Sequence, residues 1–249
     1  MEEPFLEKES REANRRIRKI FVTLTLVVVA LFALILVLTK NSGGLGDFKG
    51  ILFAMGGFVL LCTAAMLVKS LFVAKNGANL RLPFEGRTKA EVAASINRDI
   101  ADGSVIVDEF LDYSRESKNP RGERIILLPS YLLLSNGMGI FTAIPRTNIL
   151  CVFVQVGISG RSSFMSRIQI FTEKKVFYAE SADIAHCKDI CKKLYTAIPN
   201  YFGDYEPHSL PYQLEEMYDK EGVAYFREFL ETAKHEPFKG GGGNDEGEK

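Results

Sequence analysis

The sequence predicts an α+β membrane protein, in which an N-terminal pair of transmembrane helices precedes an antiparallel β domain capped by a C-terminal helix. Two observations predict this class: two uncharged apolar runs near the N-terminus, and a later series of short strand-like segments ending in an amphipathic helix. The runs, residues 20–38 and 50–68, have 19 residues each. A helix of that length spans roughly 28 Å, close to the hydrocarbon thickness of a bilayer. We therefore expect a transmembrane helical hairpin within residues 20–75, after an N-terminal segment of residues 1–19.

Basic residues flank the outer ends of this hairpin. Five lie just before the first run: Arg11, Arg15, Arg16, Arg18 and Lys19. Five follow the second run: Lys69, Lys75, Arg81, Arg87 and Lys89. The intervening loop holds only Lys40 and Lys49. Lys and Arg near span ends stay on the cytoplasmic side. This predicts a multi-pass plasma-membrane protein with both termini in the cytoplasm. A cleaved signal peptide is the competing interpretation, but the first run is too long and a second follows at once.

The charges of the chain restrict its partners. The formal net charge is zero, yet residues 69–203 carry eighteen basic and thirteen acidic groups, and residues 204–249 carry five and twelve. The basic groups are scattered, so nucleic acid is not an expected partner, whereas an anionic lipid surface suits the mildly basic part. Neither apolar run contains Asp, Glu, Lys, Arg or His. That argues against an ion pathway, because such pathways need intramembrane charge.

A connector is expected over residues 76–103. Thr88 and Glu91 have the spacing of a capping box, which predicts a helix from about Lys89 to Ala101 that stops at Gly103. From residue 104 the apolar pattern becomes that of strands. We expect about seven, at 104–113, 124–128, 131–135, 139–143, 149–156, 167–172 and 176–179. Asn136-Gly137 predicts a tight hairpin, because both residues tolerate positive φ.

An amphipathic helix should follow the strands. Ser181 is the expected cap, and one apolar stripe contains Ile184, Cys187, Ile190, Cys191, Leu194 and Ile198. Residues 104–200 resemble bacterial PH-like domains, in which a hairpin leads to an Ile-Pro step and the next strand. The residues that carry this resemblance are Tyr131-Leu132-Leu133-Leu134 and Gly139-Ile140-Phe141 in the hairpin, and Ile144-Pro145-Arg146-Thr147-Asn148-Ile149 in the step. The whole chain resembles uncharacterised two-span membrane proteins of Gram-positive bacteria. This resemblance implies a PH-like barrel or sandwich and no known activity.

The C-terminal part divides in two. Residues 201–238 are expected to form a helical extension, whose apolar face is rich in aromatic residues and is interrupted near Gly222. This face is expected to dock on the domain or on another protein. Residues 239–249 are glycine-rich and acidic and are expected to be disordered.

No catalytic or cofactor motif is recognisable. The nucleophile elbow, the phosphate-binding loop, the zinc-protease helix and the kinase signatures are all missing from the sequence. His186, Cys187 and Cys191 have metal-ligand spacing, but the two cysteines fall on the stripe that should be buried, so we expect core packing and no metal. We therefore expect neither catalysis nor a cofactor.

The candidate ligand site is the loop of residues 157–167. Arg161, Ser162, Ser163 and Arg167 offer charge and hydroxyl groups to a phosphate. A solvated loop without a ligand is the alternative. Lys174, in the next turn, would extend this basic rim only if that turn lies on the same side.

These features favour a membrane-anchored cytoplasmic module for interaction or scaffolding. The lipid bilayer itself is one expected partner. The other is one of three alternatives: another membrane protein, a second copy of the chain, or anionic lipid. A lipid- or small-molecule-responsive membrane sensor is the alternative function, and an unrecognised enzyme is a third.

Overall fold

The structure is a computed structural model that describes residues 3–39, 46–69, 71–72, 74–111, 123–156, 166–181, 183–198 and 210–235. The chain divides into two compact units. The first contains residues 1–79 together with Met138–Ile140, and the second contains residues 80–137 and 141–249. The expected disordered tail, residues 239–249, lies outside the described part.

Five helices and eight strands form the described elements. In chain order they are α1 (Phe5–Thr39), α2 (Gly46–Lys69), β1 (Leu80–Arg81), α3 (Lys89–Ala101), β2 (Val107–Phe110), β3 (Arg124–Leu127), β4 (Tyr131–Ser135), β5 (Phe141–Pro145), β6 (Ile149–Val156), β7 (Ser166–Thr172), β8 (Val176–Ser181), α4 (Ile184–Tyr195) and α5 (Leu210–His235). A 3-10 turn, Arg146–Asn148, joins β5 to β6.

Helix α1 begins well before the first apolar run, so the N-terminal segment and that run form one helix of 35 residues. Among the described residues, this is the one helix long and apolar enough to cross a membrane, and none of its apolar window is buried. The predicted second run lies on α2, whose described apolar stretch, Gly56–Val68, is shorter. The α+β class and one N-terminal candidate span are therefore observed.

Helices α1 and α2 pack closely at a glycine. A Cβ atom added to Gly56 would lie 2.4 Å from the Phe32 ring, whereas one added to Gly57 would meet no atom within 4 Å. The close contact between the two helices is therefore at Gly56 and not at Gly57.

Polar contacts hold the remaining parts of the first unit. The Asn79 side-chain amide donates to the backbone oxygens of Leu6, at 3.2 Å, and Gly139, at 3.0 Å. Ser10 Oγ accepts the Ala74 amide at 3.0 Å. A Cβ on Gly139 would lie 2.7 Å from that of Ala13, and Gly139 has a φ of +74°. Only glycine fits this position without strain.

This packing explains why the connection at Asn136-Gly137 is longer than the predicted tight hairpin. Strand β4 ends at Ser135 and β5 begins at Phe141, so five residues connect them. Gly137 and Gly139 have positive φ, but Asn136 does not. The contacts of Gly139 within the first unit override the local turn signal.

The second unit contains two sheets. The larger is mixed, in the order β1-β5-β4-β3-β2, and β1 pairs in parallel with β5, while its other pairs are antiparallel. The smaller is antiparallel, in the order β6-β7-β8. Seven strands match the predicted ones to within a few residues. The eighth, β1, was not predicted.

The two sheets and α4 share one core. Its buried members include Val107, Ile125, Leu132 and Ile144 of the larger sheet, Val152, Ile168, Ile170 and Phe177 of the smaller, and Cys187, Ile190, Cys191 and Leu194 of α4. A closed barrel is not formed by the described residues, because the chain leaves the first sheet at Pro145 and enters the second through the 3-10 turn. The barrel alternative was therefore wrong.

The cap of α4 differs from the prediction by two residues. Asp183, and not Ser181, accepts the His186 amide, at 3.1 Å. Ser181 Oγ instead donates to the Leu111 carbonyl at 2.7 Å and accepts the Asp183 amide at 3.1 Å. It thus ties the end of β8 to the end of β2.

Helix α5 covers the outer face of the smaller sheet. Four buried residues from it pack on Leu150, Cys151, Phe153 and Phe171: Leu214, Tyr218, Phe226 and Leu230. The helix is broken at Gly222, whose φ of +83° and ψ of 169° are accessible to glycine. The predicted interruption is confirmed, and docking is on the chain's own domain.

Candidate functional site

A groove of about 840 Å³ lies in the second unit. Four connections meet around it: the segment between β1 and α3, the β3–β4 turn, the β5–β6 step and the β7–β8 turn. Its lining residues are Leu82, Phe84, Glu85, Gly86, Arg87, Val92, Pro129, Ser130, Tyr131, Ala143, Pro145, Arg146, Thr147, Asn148 and Lys174. A recess bounded by turns of several strands is a common position for ligands.

The floor of the groove is apolar and rigid. Val92, Tyr131 and Ala143 are buried, and Phe84 packs against the shared core. The Tyr131 hydroxyl is the polar exception, and it lies 3.0 Å from Nη1 of Arg87. The groove therefore offers an apolar surface with one anchored phenol.

Cationic side chains line the groove. Arg87 is exposed and donates to Tyr131, while Lys174 lies 5.8 Å from the Phe84 ring centroid and 3.9 Å from the carboxylate of Glu85. The Arg146 guanidinium donates to the Ala197 carbonyl. That contact leaves other donors of the guanidinium, so Arg87, Arg146 and Lys174 all present positive charge to the groove.

Local chemistry fixes the segments that carry these cations. The capping box starts α3 one residue after Arg87: the Thr88 amide donates to Glu91 at 2.8 Å, and the Glu91 amide donates to Thr88 Oγ1 at 3.3 Å. The backbone and side chain of Thr88, aided by the Arg87 charge, lower the pKa of Glu91. The predicted capping box and its helix are confirmed.

The other two connections are held by comparable bonds. Thr172 Oγ1 donates to the Lys175 carbonyl at 2.6 Å and accepts the Lys174 amide at 3.4 Å. The Arg146 amide donates to the Ser130 carbonyl at 3.0 Å, which joins the β5–β6 step to the β3–β4 turn. Hydrogen bonds to the backbone therefore hold both connections at the edge of the groove.

The predicted ligand loop is placed only in part. Arg161, Ser162 and Ser163 lie outside the described residues, so their role stays a prediction. Arg167 lies in β7, where its guanidinium contacts the Gln155 side chain and donates to Glu215 Oε2 at 2.9 Å. It also lies 4.3 Å from the Tyr178 ring centroid.

Glu215 of α5 is the centre of this polar cluster. Besides Arg167, it accepts hydrogen bonds from the Gln169 side-chain amide, at 2.9 Å, and from the Tyr178 hydroxyl. Burial, followed by the hydrogen bond and charge of Glu215, raises the pKa of Tyr178. Within the described part, the Arg167 charge is therefore neutralised by the protein's own carboxylate.

Lys174 and Arg167 lie near opposite ends of β7. From Arg167 to Thr172 the strand rises on the order of 17 Å. Residues 157–165, which precede that strand, lie outside the described residues, so a basic rim shared by their loop and Lys174 stays a prediction. Lys174 lines the groove with Arg87.

No protein-family model, curated protein or solved structure matches this chain. The arrangement of its own residues is therefore the basis for any functional statement.

The cysteines and histidines of α4 are placed in packing positions. Cys187 and Cys191 are fully buried, and burial raises the pKa of Cys187 to about 11. The His186 ring lies 2.6 Å from the Phe110 carbonyl. Among the described residues, no group of three His, Cys, Asp or Glu side chains is arranged to hold a metal.

Sequence reasoning missed the groove because its cations come from distant segments. Arg87 precedes a capping box that was recognised, and Arg146 lies inside the Ile-Pro step that was also recognised. Neither signal indicates that the segments meet. Parallel pairing of β1 with β5 is the observation that brings the Arg87 segment to this position.

Proposed function

We propose that the chain is a membrane-anchored interaction module whose folded domain is PH-like and faces the cytoplasm. The observation that carries this proposal is helix α1, which has an unburied apolar window and belongs to the same chain as a folded α+β unit. Unburied apolar surface on this scale is unfavourable in water and favourable in lipid.

The order of elements supports the PH-like assignment. Strands β2 to β5 lie in one sheet and β6 to β8 in a second, and the amphipathic helix α4 follows and packs between them. This order corresponds to the architecture that the sequence resemblance implies. It supports binding more than catalysis, since the described groove lining offers cations and hydroxyls but no His, Cys or Asp.

The two-span topology is part of the proposal. Helix α2 supplies the second span, residues 40–49 face outward, and both termini lie in the cytoplasm of a bacterial cell. The flanking Lys and Arg residues support this orientation. Another membrane protein or a second copy of the chain is the proposed partner.

Thiol labelling in whole cells tests the anchor and its orientation. We expect Ser42→Cys to react with a membrane-impermeant maleimide in intact cells, because residue 42 lies in the outward loop. Ser104→Cys, at an exposed position of the domain, should react only after the cells are opened. Cys151, Cys187 and Cys191 are buried, and the parent chain measures the labelling of Cys62. Labelling of Ser104→Cys in intact cells would overturn the orientation.

The groove favours a second candidate function, a lipid- or small-molecule-responsive membrane sensor. Its apolar floor and accessible cations are the features of a ligand site. In such a sensor the ligand state of the domain would change its interaction with the partner.

A further inference from the structure

We propose that the groove between Arg87 and Lys174 binds a phosphomonoester attached to an apolar or aromatic body. This inference rests on the sensor function and names its ligand class. The same chemistry is present in a free phosphate ester and in a lipid with a terminal phosphate, and the experiment below separates these two sources.

The dimensions of the groove suit a small organic ligand. Its volume of about 840 Å³ lies within the range of roughly 300 to 1,000 Å³ that is common for small-molecule sites. Inorganic phosphate alone would leave most of this space unfilled. Leu82 and Phe84, which line the groove and are half-buried, supply apolar contact for the rest of the ligand.

The charge of the groove suits a dianion. Arg87 spends one N–H group on Tyr131, which leaves other donors of its planar guanidinium for a phosphate oxygen. Lys174 is paired only loosely with Glu85, at 3.9 Å, and the Glu85 side chain is 98% exposed. An exposed pair of this kind contributes little. A ligand can therefore recruit Lys174 at small cost.

Neighbouring carboxylates offset only part of this charge. Glu91 lies outside the lining and is hydrogen-bonded to Thr88 in the capping box, and its charge also interacts with that of Arg87. Glu85 points into solvent. The lining carries three cations, Arg87, Arg146 and Lys174, and one carboxylate, Glu85. This excess of positive charge suits the charge of about −1.5 to −2 that a phosphomonoester carries at pH 7.

The test uses the full chain in nanodiscs of neutral phosphatidylcholine. Titration calorimetry with phenyl phosphate should show saturable binding that is at least tenfold tighter than with inorganic phosphate or phenol. Arg87→Gln and Lys174→Gln should each weaken that binding by roughly tenfold, the effect of losing one charge-assisted hydrogen bond. Lys175→Gln is the matched control, because Lys175 occupies the same turn but lies 4.6 Å from the Phe177 ring centroid and outside the lining.

Nanodiscs containing phosphatidic acid separate the two sources. Loss of phenyl phosphate binding by the parent chain in these discs, which Lys174→Gln should not restore, identifies the lipid as the ligand. Unchanged binding identifies a soluble ester. Equal binding of phenyl phosphate by the parent chain and Arg87→Gln, or no saturable binding in any disc, overturns the proposal. Thermal melts of each variant verify that it is folded. The labelling experiment is independent, so failure of the ligand inference is distinguishable from failure of the membrane proposal.

Discussion

Gly56 shows how one missing side chain sets the approach of two helices. We expect Gly56→Leu to destabilise the packing of α1 on α2, because its Cβ alone would lie 2.4 Å from the Phe32 ring. Overpacking of this kind costs about 1 to 3 kcal/mol. Thermal unfolding of the full chain in detergent measures the effect.

Gly57→Leu is the control for that change, since nothing lies within 4 Å of a Cβ at Gly57. It adds the same side chain one residue further along the helix. Equal melting temperatures for the two variants would contradict the assigned packing.

The capping box at Thr88 predicts a dependence on pH. Thr88→Ala should cost about 1 kcal/mol at neutral pH, because the first turn of α3 loses the acceptor for an amide. The pKa of Glu91 is lowered in the folded state. The stabilisation from its carboxylate is therefore present above the ordinary pKa of 4.5 and is lost as pH falls through the folded value.

Chemical denaturation of Glu91→Gln at pH 7 and pH 3 measures this dependence. The variant should be less stable than the parent chain at pH 7, and the difference should be smaller at pH 3. Glu85→Gln, at a 98% exposed side chain, should change stability little at either pH. A Glu91→Gln difference that is constant with pH would exclude the carboxylate as the cause.

At the scale of elements, α5 is held on the smaller sheet by an aromatic cluster. The Phe226 ring lies 5.0 Å from that of Phe171 and 5.4 Å from that of Tyr218. Phe226→Ala should remove about 3 to 5 kcal/mol and release the helix from the sheet. Hydrogen exchange should then increase in residues 210–235 and at the outer face of β6.

Tyr225→Ala supplies the comparison, because the Tyr225 side chain is 50% exposed on the same helix. It should leave the exchange of both regions unchanged. Uniform acceleration across the whole domain in Phe226→Ala would show that α5 unfolds together with the sheets and does not dock as a separate element.

Elements with strong local signals were predictable. Helix α3 has its predicted bounds because the capping box and Gly103 mark its two ends, and Gly103 has the expected positive φ, +69°. Strand β4 has its predicted bounds because Pro129-Ser130 precedes it. Strand β1 was missed because two residues, Leu80 and Arg81, carry no periodicity.

The site was much less predictable than the elements. Arg87 and Lys174 are far apart in sequence, and no local pattern states that their segments meet. Arg167 was chosen for its position beside a glycine-rich loop, but a pairing carboxylate in α5 determines its environment. Long-range pairing of charges is decided by tertiary packing, which composition and spacing do not encode.

At the scale of the molecule, the two units have different compositions. The first presents large apolar side chains without cover, including Leu26, Leu34 and Phe58, while the second buries its apolar residues in two clusters on opposite faces of the smaller sheet. A chain built in this way requires two solvents. We expect lipid around the first unit and water around the second.

The double burial of the smaller sheet limits where recognition can occur. All five residues from Ile168 to Thr172 are buried, although successive side chains of a strand point to opposite faces. Strand β7 therefore has no solvent face on which a new surface residue could arise without cost to the core. Variation between related chains, and with it any change of ligand, would be confined to the turns at the strand ends.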